Sequence, residues 1–108
     1  MSSTNQSGSS PKPSGTPLRV VIIEDVREVR EGLKMLINGT PGFISVSSYR
    51  TMEDALRGIN LDRPEVILTD IGLPGMNGIE GTRILRGRFP EVPIVALTVY
   101  DDDEQALR

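Results

Sequence analysis

Four short apolar runs alternate with segments of helical period, and that alternation limits what this chain can fold into. "LRVVII" at 18–23 is rich in β-branched residues and reads as a buried strand. Val29, Leu33, Leu36 and Ile37 then recur at i, i+4, i+7 and i+8, one apolar face of a helix. "NGTPG" at 38–42 stops that helix with turn residues. "FISVSSY" at 43–49 is a second, more polar strand, expected near a sheet edge. "TMED" at 51–54 opens a second helix with a capping box in which Asp replaces Glu. Met52, Ala55, Leu56 and Ile59 form its apolar face. Pro64 blocks helix continuation, so "EVILT" at 65–69 reads as a third strand. A third helix is expected from about Ile79 to Arg88, and a fourth strand over "VPIVALT" at 92–98. "DDDEQALR" at 101–108 looks like a helix start, with acids where the helix dipole favours them. Such alternation implies the α/β class, a doubly wound and mostly parallel sheet with helices on both faces. Right-handed crossovers bring every strand C-terminus to one edge, and ligands bind there, near the switch in strand order.

Composition removes several function classes. The 108 residues are 37% hydrophobic and 25% charged, which suits one soluble globular domain. The first seventeen differ: eleven are Ser, Gly or Pro, and Met1 is their only hydrophobic residue. That stretch cannot bury enough apolar surface to offset its ordering entropy, so 1–17 is expected to be a disordered tail, leaving 91 residues for a domain over 18–108. It has no apolar core of signal-peptide length. Cysteine and histidine are absent, which excludes disulfides, thiolate chemistry, His-based acid–base catalysis and the commonest zinc ligand. No apolar run approaches a membrane span, and the expected compartment is cytoplasmic. The formal net charge is −3, and −4 without Lys12 of the tail, which argues against this segment gripping a phosphate backbone by itself.

The chemistry sits at the strand ends. The stretch "VILTDIGLPGMNG" at 66–78 ends an apolar run in a carboxylate, Asp70, followed by glycine at every third position. The first strand ends in Glu24-Asp25 and the fourth in Thr98. In a parallel sheet these residues meet on one rim. Any one of them alone is explained as a cap for the following loop; the four together are not explained so easily. Three carboxylates in one crevice repel each other, which a divalent cation relieves, and oxygen-only ligands favour a hard ion such as Mg²⁺. A carboxylate beside such an ion can attack phosphorus to give an acyl phosphate, and Asp70 is the best-placed nucleophile. Thr98 can donate its hydroxyl to the phosphoryl oxygens. Turn chemistry accounts for Gly75 and Gly78, since neither GxxxxGK[ST] nor GxGxxG is present. Arg83 and Arg86 read as an exposed helix face.

"VVIIEDVREVREGLKMLI", "PEVILTDIGLPGMNGIEG" and "VPIVALTVYDDDE" resemble the receiver domains of bacterial two-component response regulators, in particular the group with helix-turn-helix output of the LuxR or nitrate-regulator type. The resemblance covers most of 18–108. It implies a flavodoxin-like fold, with Asp70 as phosphoacceptor. It implies Mg²⁺ held by Glu24, Asp25, Asp70 and the backbone carbonyl of Gly72, and a switch made of Thr98 and Tyr100. It implies phosphoryl transfer from a sensor histidine kinase, a homodimer as a further state, and DNA reached only through an output domain that these residues do not include.

One departure stands out. The family places a lysine after a fifth strand, and the two lysines here, Lys12 and Lys34, lie elsewhere. The expectation is therefore a receiver cut before its fifth strand and fifth helix, with the fourth strand an exposed apolar edge. Two rivals follow. One is a receiver-like interaction module that does not take phosphate. The other is an aspartate-nucleophile phosphatase of the haloacid-dehalogenase type, disfavoured because it needs a second acid where this chain has Gly72.

Overall fold

A computed structural model describes residues 15–70 and 78–97. Four parallel strands form one sheet: β1 (Leu18–Ile23), β2 (Phe43–Tyr49), β3 (Val66–Asp70) and β4 (Ile94–Leu97). Three helices connect them, α1 (Arg27–Asn38), α2 (Met52–Asp62) and α3 (Gly78–Arg88). The strand order is β2-β1-β3-β4, the first four strands of the flavodoxin-like doubly wound order. The chain leaves β1 outward to β2 and returns past it to β3. The switch in strand order therefore falls between the C-termini of β1 and β3.

β1 lies inside the sheet, and Val20 to Ile23 are all buried. Alternation sends Val21 and Ile23 to one face, where they pack with Ile67, Met52, Ala55, Ile59 and Leu85. This is the main core, made by α2 and α3 lying on the sheet. Two side chains there rest on glycines: a Cβ at Gly81 would collide with the Met52 side chain, and one at Gly58 would meet the Tyr49 hydroxyl at 2.6 Å. Close approach of helix to partner is possible only because both positions lack a side chain.

The ends of α2 follow the sequence. Thr51 accepts a hydrogen bond from the Asp54 N–H at 3.0 Å, the expected cap. Ahead of Pro64, Arg63 adopts the left-handed conformation (φ 50°) that closes the helix. β2 sits at a sheet edge, as its polar residues suggest.

Three expectations need adjusting. β4 is shorter than 92–98, because Pro93 has no N–H to give a ladder and pairing with β3 begins at Ile94. β3 is shifted by one residue and includes Asp70, which pairs with Leu97. The α1 stripe is only partly covered: Val29, Leu33 and Ile37 are half-buried, but Leu36 is 64% exposed, because α1 rests on β1 and β2 alone among the described elements. Along β4, Val95 is exposed, and among the described residues the strand pairs only with β3. No helix among the described residues is long and apolar enough to cross a membrane. Nearly all of the expected tail, including Lys12, lies outside the described residues.

Candidate functional site

Ile23 of β1 is in register with Thr69 of β3, so the next residues, Glu24 and Asp70, come side by side at the C-terminal edge of the sheet. Asp25 follows at the turn into α1. Carboxylate oxygens of Glu24, Asp25 and Asp70 all lie within 4.8 Å of one another. The sequence-expected cluster of acids is therefore assembled. Gly72, Thr98 and Tyr100, the other expected site residues, lie outside the described residues.

Burial is uneven across the cluster. Glu24 is fully buried and Asp70 is 9% exposed, while Asp25 is half-buried. Glu24 Oε2 accepts the Val26 N–H at 3.0 Å, but Glu24 Oε1 is buried without a hydrogen-bond partner among the described residues. A buried, ionised oxygen left without a donor or cation costs free energy. Burial is the main reason that the Glu24 carboxyl is pushed above its ordinary value of 4.5. The Val26 N–H opposes this, while the nearby carboxylates of Asp70 and Asp25 add to it. The site is thus poised to take up positive charge.

The donor set fits a hard divalent cation. All three candidate ligands are carboxylates, one Glu24 oxygen is without a hydrogen-bond donor among the described residues, and a few carboxylates completed by water suit Mg²⁺.

The turn that carries two of these acids is braced by residues that sequence patterns do not single out. The Glu24 N–H donates to the Tyr49 carbonyl at 2.9 Å, continuing the β1–β2 ladder. From α1, Arg30 Nη1 donates to the Glu24 carbonyl at 2.9 Å and lies 3.5 Å from the Asp25 carbonyl. Nothing in residue periodicity marks Arg30, because its partners are backbone atoms.

A second carboxylate cluster is structural. Asp62 at the end of α2 accepts the Ser47 hydroxyl at 2.7 Å and the Tyr49 hydroxyl at 2.5 Å. Its carbonyl takes two donors from the Arg19 guanidinium, at 2.7 and 3.0 Å. Burial first, and then the bond to Asp62, holds the Tyr49 hydroxyl above its ordinary value of 10.0. Arg83 and Arg86 are exposed on α3, as expected.

Residues 20–108 match the family described as "Response regulator receiver domain". Among curated proteins, the chain is 37% identical over 86 residues to the transcriptional regulatory protein DegU of Brevibacillus brevis, covering 80% of this chain and 36% of that protein. It is also 37% identical over 87 residues to protein-glutamate methylesterase/protein-glutamine glutaminase 2 of Paramagnetospirillum magneticum, covering 81% of this chain and 25% of that protein. Among solved structures, a two-component response regulator of the LuxR family from Aurantimonas sp. SI85-9A1 superposes with a TM-score of 0.72 at 30% identity, over 85% of this chain and 66% of that one. The chain thus spans between a quarter and two fifths of the length of these curated relatives.

Proposed function

This chain belongs to the response regulator receiver domain family of two-component signalling, and from that membership we propose that it accepts a phosphoryl group on Asp70, with Mg²⁺, from a sensor histidine kinase. The observation that carries the reading is the trio of Glu24, Asp25 and Asp70, with one buried Glu24 oxygen left without a partner.

An Asp70 carboxylate oxygen attacks the phosphorus of a phosphohistidine. The P–N bond breaks as the acyl phosphate P–O bond forms, and the imidazole leaves as the neutral side chain once it holds a proton. Glu24, Asp25 and Asp70 would hold the ion, joined by the Gly72 carbonyl, while Thr98 and Tyr100 would report the phosphoryl group to the rest of the fold. Bound Mg²⁺ supplies charge neutralisation for the phosphoryl oxygens. The chain is a phosphoacceptor and switch, not a turnover enzyme, and works in the cytoplasm, where the kinase's phosphohistidine is available. Output is transcriptional control by a DNA-binding domain beyond these residues. The similarity to DegU, a transcriptional regulatory protein, supports this, while the methylesterase relative shows that receivers occur with other outputs.

The test is incubation with a small phosphodonor such as acetyl phosphate and Mg²⁺, read by intact mass. One hydroxylamine-labile phosphoryl adduct is expected, and none in Asp70→Asn. An adduct that persists in Asp70→Asn overturns the assignment.

A further inference from the structure

We propose that Arg30 is a positioning residue for the cation site: its guanidinium holds the backbone of the Glu24–Asp25 turn so that both carboxylates face Asp70. The proposal rests on the Mg²⁺ reading above and extends it to a residue that is not itself a ligand.

The geometry carries the argument. The turn from β1 into α1 must present two consecutive acids to one crevice, yet their charges repel each other and that of Asp70. The α1 N-cap is Val26, which has no side-chain oxygen to fix the entry of the helix. The turn is instead fixed at three places. The Glu24 N–H bonds to the Tyr49 carbonyl, Glu24 Oε2 takes the Val26 N–H, and Arg30 reaches back from the first turns of α1 to the Glu24 carbonyl. Among the described residues, only the last of these comes from a side chain outside the acidic cluster. One guanidinium nitrogen, Nη1, meets the Glu24 carbonyl at 2.9 Å and stands 3.5 Å from the Asp25 carbonyl, so it ties two consecutive carbonyls of the turn to α1. Turning the Glu24–Asp25 peptide would swing the Asp25 carboxylate away from its partners.

A positive charge beside a cation site normally works against cation binding, and this makes the proposal testable by sign. If Arg30 were only a nearby charge, removing it would tighten Mg²⁺ binding. If it holds the turn, removing it weakens binding, even though a repulsion has gone. Residues that orient metal ligands cost about 10–100-fold in affinity when lost.

The experiment is a titration of MgCl₂ into the full chain, read both by calorimetry and by the Mg²⁺-dependent rise in melting temperature. Wild type is compared with Arg30→Met, which keeps the aliphatic stem and loses every donor, and with Arg30→Lys. Arg30→Met is expected to bind Mg²⁺ at least about tenfold more weakly, and Arg30→Lys to recover part of that loss. Melting without Mg²⁺ separates the effect from general destabilisation. Should Arg30→Met not fold, Arg30→Gln, which also removes the charge, is expected to bind more weakly too. Binding as tight as wild type or tighter in a charge-removing variant overturns the positioning role. A wild-type chain that does not respond to Mg²⁺ overturns the cation reading beneath it, and the proposal with it.

Discussion

Glu24 and Asp62 are both carboxylates withdrawn from solvent, and the fold treats them in opposite ways. Asp62 is matched: two hydroxyls from β2 approach its oxygens. Glu24 is not matched: one oxygen meets a backbone N–H, the other has no hydrogen-bond donor among the described residues, and two more acids stand beside it. A carboxylate with its own donors is complete within the fold. A buried carboxylate crowded by like charges, with one oxygen that no donor reaches among the described residues, is suited to take a cation. The contrast separates an acid that braces the structure from the acid proposed here to hold a cation.

The contrast is broken most severely at Glu24. Glu24→Gln should reduce Mg²⁺ affinity by about 100-fold or more, since it removes a charged ligand rather than a partner of one. The same variant should be more stable than wild type at neutral pH without Mg²⁺, because a neutral amide replaces a buried charge. Equal stability at neutral pH would show that Glu24 is not strained.

Asp62→Ala should do the reverse. Stability should fall by about 1–3 kcal/mol, the cost of leaving half-buried hydroxyls without their carboxylate acceptor, while Mg²⁺ affinity stays close to wild type. Denaturant melts with and without Mg²⁺ read both quantities. A loss of Mg²⁺ binding in Asp62→Ala would erase the distinction between the two acids.

The pH dependence sharpens it further. The Glu24 carboxyl is raised above 4.5, so the folded chain holds that proton more tightly than the unfolded one does. Its contribution is fully present below about pH 4.5 and is lost as the pH rises through the folded value. The stability difference between wild type and Glu24→Gln should therefore widen, against wild type, over that interval. Mg²⁺ should compete with the same proton, so its affinity should fall on acidification. The smallest effect is expected for Tyr49→Phe, which removes one hydrogen bond to Asp62 and should cost about 1 kcal/mol.

Much of this was legible in the sequence, for reasons that can be named. β1, β2 and the Thr51 cap follow from β-branched runs and capping chemistry, both local properties. Glu24, Asp25 and Asp70 could be placed together because parallel strands share an edge, whatever their separation in the chain. The depth of Glu24 could not be read, because burial depends on how α1 and β3 close over the end of β1. Arg30 and Asp62 were missed for a related reason. Their partners are backbone carbonyls and hydroxyls of distant elements, which leave no periodic trace. The α1 stripe shows the converse. Its period correctly marks a helix, but period alone does not say what covers Leu36.

The central claim is that the acidic trio is a cation site left incomplete by the polypeptide. Calorimetric titration of Mg²⁺ into wild type and Glu24→Gln at neutral pH tests it most directly. The account predicts one saturable site in wild type that is lost, or nearly lost, in Glu24→Gln. No saturable binding in wild type, or equal binding in both, would contradict it.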